Sequence, residues 1–175
     1  MAIEQYTEKL TLGEMRCTIG KNSFGYVFPQ GDVSDVGKLE ILLKQAGGKP
    51  KECKLDDYQQ GGNGKAKPEF IMTFFDDPHT IIVVECKNTT RKHCSELLNK
   101  PAGYAVDGVL YYAKFLKKDY NVIALAVSGT NREQMKVSTF YWACGQESYI
   151  SLDKARDIIL EPQNYIEIVK GNKLK

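Results

Sequence analysis

Two β-type apolar runs stand close together near the middle of the chain. They extend from Phe70 to Phe75 and from Ile81 to Val84, and the Asp76-Asp77-Pro78-His79 segment between them has the composition of a tight turn. The pattern predicts two antiparallel strands. In such a pair the start of one strand lies beside the end of the other, so Glu69 and Glu85 should meet at one end of the sheet.

Apolar residues recur at helical spacing in the segments before and after this strand pair. One helix is predicted from Ser34 or Asp35, either of which could cap it, to Ala46, where Gly47-Gly48 ends it. A second is predicted from about Ala102 to Lys117, after Pro101. Each has one apolar stripe, formed by Val36, Leu39, Leu43 and Ala46 in the first and by Ala102, Val106, Val109, Ala113 and Leu116 in the second.

The remaining segments complete an α/β pattern. Residues 1–36 are expected to form an arm or short strands, and residues 47–66 a long turn-rich connection. Further elements are predicted at Asn121 to Ser128 (strand), Val137 to Ala143 (strand), Ser151 to Leu160 (helix closed by Pro162) and Tyr165 to Val169 (short strand). This order predicts a mixed sheet of four to five strands flanked by helices.

Length and composition indicate one globular domain. The 175 residues suffice for a single core, and we expect residues 171–175 to be a linker stub leading to further domains. The net charge of +2 is too small to indicate a nucleic-acid binder by itself, so any basic surface must be local. No apolar run is long enough to span a membrane and no signal peptide is recognisable. Five cysteines without C-x-x-C spacing favour a reduced, cytoplasmic protein.

The ends of the predicted strand pair carry candidate chemistry. Glu85 and Lys87 point to the same side of their strand, whereas the side chain of Cys86 points away. Two carboxylates, Glu69 and Glu85, form a hard oxygen site that suits Mg²⁺, and the backbone carbonyl of Cys86 is a plausible further ligand. A neighbouring lysine can orient water or neutralise charge on a phosphate. Phosphate-loop and Ser-His-Asp patterns are not found in the sequence.

Pro68-Glu69 followed by Glu85-Cys86-Lys87 resembles the PD-(D/E)XK nuclease superfamily. The segments PEF, IIVVECKN, YAVDGVLYYAKFL and NVIALAVSG are similar to the N-terminal nuclease domains of type I restriction subunits and fused nuclease–methylase proteins, over roughly residues 36–130. Two features depart from that family: the first acid is Glu instead of the commoner Asp, and Asp107 or Gly108 stands where many relatives have the glutamine of a Gln-x-x-x-Tyr motif.

The resemblance implies a restriction-endonuclease-like core and metal-dependent hydrolysis of phosphodiester bonds in double-stranded DNA. It makes Glu69 and Glu85 ligands of Mg²⁺, for which Mn²⁺ would substitute, Lys87 the catalytic lysine, and Glu40 an accessory acid. The implied setting is a restriction-modification enzyme, with further domains or subunits choosing the target.

Several polar residues near the strand pair are candidates for contact with nucleic acid. They are Lys65, Lys67, Asn88, Arg91 and Tyr111. The cations could bind phosphates, which positions DNA without reading its sequence, or they could simply be solubilising charges. Tyr111 and Tyr112 could stack on bases or pack in the core. Two other functions stay open: a nuclease-fold module that binds nucleic acid or subunits without cutting, and a nuclease for RNA or branched DNA.

Overall fold

A seven-stranded mixed sheet forms the centre of the protein in a computed structural model that describes residues 4–57 and 63–172. The strands are β1 (Gly20–Lys21), β2 (Gly25–Pro29), β3 (Phe70–Phe74), β4 (Thr80–Lys87), β5 (Asn121–Ser128), β6 (Lys136–Trp142) and β7 (Ile150–Ser151). The helices are α1 (Glu4–Met15), α2 (Gly37–Ala46), α3 (Ala105–Leu116) and α4 (Pro162–Asn172). Among the described residues, no helix has the length and apolar character that a membrane span requires.

The order of strands across the sheet follows their order in the chain. All neighbouring strands are antiparallel except β4 and β5, which are parallel along their whole length. Parallel strands need a long crossover connection, and here that connection contains α3. The α/β class with a mixed sheet and flanking helices is therefore confirmed.

Side chains of the central strands alternate between two apolar layers. On β4, Ile81 and Val83 pack on one face with residues of α2 and α3. Ile82 and Val84 pack on the other face, with Met15 of α1 and residues of α4. Because β4 and β5 are covered on both faces, they are continuous apolar runs without a polar side.

The sheet is larger than the predicted four to five strands. Both β1 and β2 lie within residues 1–36, where short strands were one of the two expectations, and β7 has only two residues. The same segment contains α1, which was not predicted. The buried face of α1 explains this: Thr7, Thr11 and Met15 recur every four residues, and the two threonines interrupt the apolar stripe that identifies a helix.

The predicted elements after residue 150 were wrong. In place of a helix from Ser151 to Leu160, the chain forms β7 and a short 3₁₀ turn, Asp153–Ala155. Pro162 begins α4 instead of closing a helix, because a proline at the first helical position has no amide hydrogen to leave unpaired. The predicted strand from Tyr165 to Val169 lies inside α4. Residues 171 and 172 also belong to α4, and residues 173–175 lie outside the described part.

The elements between α2 and β6 follow the predictions more closely. β5 has the predicted bounds, and the two predicted middle strands are β3 and β4, with β4 extended to Lys87. The predicted cap of α2 was wrong: Val36 occupies the N-cap position, and no side chain caps the helix there. α3 begins at Ala105, three residues later than predicted, because residues 101–103 form a turn.

The close pairing of β2 with β3 predicts a large penalty for a side chain at Gly25. A Cβ atom there would overlap the carbonyl oxygen of Thr73, so Gly25→Ala should lower the free energy of unfolding by about 2–3 kcal/mol. Gly13 is a matched control, since it is exposed within α1 and a Cβ there would meet nothing within 4 Å. Gly13→Ala should stabilise the protein by about 0.5–1 kcal/mol. Urea unfolding of both variants measures these effects, and equal stabilities would contradict the β2–β3 geometry.

A buried histidine joins the segment after β4 to two neighbouring strands. Nδ1 of His93 is 2.7 Å from Oγ of Ser128, and Nε2 is 2.8 Å from Oγ of Ser138. Burial, assisted by the charge of Lys136, lowers the pKa of His93 to about 4. The imidazole is therefore neutral in the folded protein at neutral pH.

This histidine should make the protein less stable in acid. Its pKa is about 4 in the folded state and 6.5 ordinarily, so its contribution is fully present above pH 6.5 and is lost as the pH falls toward 4. The loss should reach at most roughly 3 kcal/mol. Urea unfolding between pH 7.5 and pH 4.5 should show a weaker pH dependence for His93→Gln than for the parent. The same pH dependence in both proteins would exclude His93 as its source.

Candidate active site

Two glutamates meet where β3 begins and β4 ends. The antiparallel register pairs Phe70 with Val84, and the next pair in the same register is Glu69 with Glu85. Because side chains alternate along β4, Glu85 and Lys87 share the face of the sheet on which Val83 packs, and Glu69 lies at the same end of the sheet. The predicted antiparallel pairing is confirmed, and it brings the two acids and the lysine to one end of the sheet.

Glu69 lies close to two other acids, Glu85 and Glu8. Its Oε2 accepts a hydrogen bond from Nε2 of Gln30 at 2.6 Å, and its backbone oxygen accepts one from N of Gln30 at 3.0 Å. Partial burial, together with the charges of Glu85 and Glu8, raises the pKa of Glu69 to about 8. The repulsion that raises this pKa is the repulsion that a bound cation would relieve.

Sequence reasoning missed Glu8. This acid lies on α1, close enough to Glu69 for a hydrogen bond between the two carboxyl groups, and its Oε1 is 3.5 Å from Nε2 of Gln30. The only signal that could have located it is the four-residue recurrence of Thr7, Thr11 and Met15. That recurrence predicts a helix only if buried threonines are accepted as part of its inner face.

Glu85 is buried and paired with a lysine from a distant loop. Its side chain is 2% exposed, and its Oε2 contacts Nζ of Lys49, whose side chain is 15% exposed. The same Nζ lies 5.1 Å from the ring centroid of Tyr112 on α3. Gly108 adjoins the pair, because a Cβ there would lie 2.9 Å from Oε2 of Glu85 and 3.2 Å from Nζ of Lys49.

Lys87 and Cys86 present different groups to the site. Nζ of Lys87 donates to the carbonyl of Ala102 at 3.2 Å, which holds the ammonium group on the same face as the acids. The sulfur of Cys86 lies on the opposite face, 3.8 Å from Oγ1 of Thr11, and burial raises the pKa of this thiol well above its ordinary value. The sulfur of Cys86 therefore lies away from Glu85 and Lys87.

The backbone oxygen of Cys86 is better placed than its sulfur. Carbonyls alternate in direction along a strand, and the carbonyl of Lys87 accepts from N of Gly129 on the β5 side. The carbonyl of Cys86 therefore points to the β3 side, beyond Phe70, the last residue of β3 that pairs with β4. That is the side on which Glu69 lies.

The structure places Glu40 with cations instead of with the other acids. Its carboxylate is 2.7 Å from Nζ of Lys65 and 3.5 Å from Nζ of Lys44, and the bond to Lys65 lowers its pKa. Among the described contacts of Glu40, none is to Glu69 or Glu85. The acid that does lie beside Glu69 is Glu8.

The residues predicted to contact nucleic acid differ in their solvent exposure. Lys67 and Arg91 are exposed, and Asn88 is half-buried. Lys65 is half-buried and engaged with Glu40. Tyr111 is 1% exposed, and its hydroxyl donates to the carbonyl of Ala46, so it packs in the core and the prediction that it contacts nucleic acid is corrected.

The oxygen atoms of this site are candidate ligands for Mg²⁺. In residues 4–57 and 63–172, no group of three or more His, Cys, Asp or Glu side chains is arranged to hold a metal. Two carboxylates, Glu69 and Glu85, and the carbonyl of Cys86 do form a set of hard oxygen donors, and Mg²⁺ commonly takes one or two carboxylates with waters and phosphate oxygens. These residues fit Mg²⁺ or Mn²⁺, provided that Lys49 leaves Oε2 of Glu85.

Comparisons with known proteins found no match to this chain among protein-family models, curated proteins or solved structures. The function is therefore argued from the geometry of the site.

The raised pKa of Glu69 predicts a stability that falls as the pH rises. An acid whose pKa is higher in the folded state than in the unfolded state stabilises the folded state while it is protonated. This stability is lost progressively as the pH rises from 4.5 to about 8 and Glu69 ionises. Glu69→Gln removes this charge and should raise the free energy of unfolding at pH 8.5 by about 1 kcal/mol, allowing for solvent screening. Urea unfolding at pH 5 and pH 8.5 in EDTA checks this. A variant that is less stable than the parent at pH 8.5 would contradict the repulsion.

Proposed function

We propose that this chain is a metal-dependent endonuclease domain that hydrolyses phosphodiester bonds in double-stranded DNA. The observation that carries the proposal is the meeting of Glu69 and Glu85 where β3 begins and β4 ends, with Lys87 on the same face as Glu85. The parallel β4–β5 pair joined through α3 supports the restriction-endonuclease-like core that the sequence resembles.

Each residue of the site has a chemical task in this proposal. Glu69, Glu85 and the carbonyl of Cys86 would hold Mg²⁺, which would lower the pKa of a water molecule and neutralise phosphate charge. Lys87, fixed by the carbonyl of Ala102, donates a hydrogen bond to the attacking water or to the phosphate. Glu8 lies beside Glu69 and can accept a proton from that water.

The exposed cations suggest how DNA would approach. Lys67 lies just before β3 and Arg91 follows β4, so both are on segments that adjoin the ends of the strands that carry the acids. Such residues bind phosphates without reading bases. We propose that the domain is the cleavage module of a restriction-modification enzyme, in which further domains or subunits select the target.

The Lys49–Glu85 contact also favours a second candidate function. An ion pair that neutralises a metal-binding acid suits a module that keeps the nuclease fold and binds nucleic acid or other subunits without cutting. The two functions differ in one measurable property, which is whether the protein binds a divalent metal through Glu85.

Nicking of supercoiled plasmid tests the proposed activity. The purified chain should nick DNA with Mg²⁺ or Mn²⁺ and not with EDTA, and Lys87→Ala should reduce the rate by at least about 100-fold because the charge next to the reacting phosphate is lost. Lys118→Ala is the matched control, since this lysine lies beyond the opposite end of α3, over the ring of Phe115. RNA and branched DNA are assayed beside plasmid to identify the substrate.

Calorimetric titration with Mn²⁺ decides the case in which no nicking is seen. A heat of Mn²⁺ binding that is measured with the parent and is absent with Glu85→Ala would support the nuclease site. It would also indicate that partners are missing from the nicking assay. Absence of binding in the parent would overturn the nuclease proposal and favour the non-cutting module.

A further inference from the structure

We propose that Lys49 is a tethered counter-ion of the active site, which holds Glu85 until a divalent metal takes its place. This inference rests on the proposed function, because it assigns a regulatory role at the same metal site. Lys49 would thereby set how readily the domain loads its metal. It is a positioning residue, since it acts on Glu85 and not on the substrate.

The contact is built from three separate parts of the fold. Lys49 follows α2, Glu85 ends β4, and Tyr112 supplies the aromatic ring from α3. Gly108 leaves room for the pair, because a Cβ at this position would crowd both of its charged groups. A pocket that encloses an ammonium group between a carboxylate and a ring is more specific than a surface ion pair.

The two cations would compete for the same oxygen atom. Nζ of Lys49 contacts Oε2 of Glu85, one of the carboxylate oxygens that a metal shared with Glu69 would use. A lysine ammonium and a divalent cation cannot both occupy that position, since they repel each other at short range. The carboxyl groups of Glu69 and Glu8 offer further oxygen atoms near Glu85, which favours a divalent cation with several oxygen ligands over a single ammonium group.

The exchange needs only a movement of the lysine side chain. The hydroxyl of Tyr111 is 3.3 Å from the carbonyls of both Gly47 and Gly48, and N of Ala102 donates to the carbonyl of Pro50 at 3.2 Å. These bonds fix the backbone on both sides of Lys49. Its side chain retains some exposure, so the ammonium group can turn into solvent while the backbone stays in place.

Lysine acylation of the unmodified protein tests the exchange directly. The protein is treated with an amine-reactive acetylating reagent with and without Mn²⁺, and labelling at each lysine is read by mass spectrometry. We expect labelling of Lys49 to rise about fivefold or more at saturating Mn²⁺, because the displaced ammonium group enters solvent. Lys51 is the internal control: it is exposed in the same loop, and its labelling should not change.

Substitution of Lys49 supplies the second measurement. Lys49→Met keeps the length of the side chain and removes its charge, so Mn²⁺ should bind about tenfold more tightly by calorimetry. Lys51→Met removes the same charge two residues away and should leave the affinity unchanged. Mn²⁺ should also raise the melting temperature of Lys49→Met more than that of Lys51→Met, because it restores a partner to the buried Glu85.

The outcomes separate this inference from the proposed function. Binding of Mn²⁺ by the parent with unchanged labelling of Lys49, or weaker binding by Lys49→Met, would overturn the counter-ion role and leave the metal site in place. Absence of Mn²⁺ binding in both the parent and Lys49→Met would overturn both. Binding by Lys49→Met and not by the parent would overturn the exchange, because the metal would then fail to displace Lys49, and would favour the non-cutting module. If Lys49→Met does not fold, the acylation experiment decides alone.

Discussion

Backbone hydrogen bonding between β3 and β4 brings two carboxyl groups together. The register that pairs Phe70 with Val84 places Glu69 beside Glu85, and the backbones of the two acids cannot separate unless the strands unpair. Each acid has a partner from a neighbouring segment: Gln30 donates a hydrogen bond to Glu69, and Lys49 neutralises Glu85. A protein selected for stability alone would gain by replacing one of these acids. Keeping both, with dedicated partners, is typical of sites whose strain is relieved by a bound ligand.

The central sheet and the core of the site could be predicted because their signals are local. The bounds of β5 follow from an unbroken apolar run, and the β3–β4 pair follows from two such runs around an Asp-Asp-Pro turn. Once this pair is drawn, antiparallel pairing brings Glu69 beside Glu85, and strand alternation places Lys87 on the same face as Glu85. These predictions needed no knowledge of any contact between distant parts of the chain.

The partners of the two acids could not be predicted, since they come from distant segments. Lys49 is 36 positions from Glu85, in a loop that has no regular pattern, and Glu8 lies on a helix whose inner face is made of threonines. The carboxyl-terminal errors have another cause. The β-branched residues of α4 imitate a strand, and the packing of Tyr165 and Val169 against the sheet overrides that local preference.

The sheet order has a consequence for synthesis of the chain. Because every strand pairs with its neighbours in sequence, the sheet can grow one strand at a time from the amino-terminal side, without waiting for a distant partner. Gln30 and Lys49 both precede β3, so the hydrogen-bond partner of Glu69 and the ion-pair partner of Glu85 leave the ribosome before the strand pair that brings the acids together. Both partners are therefore already synthesised when β4 closes on β3.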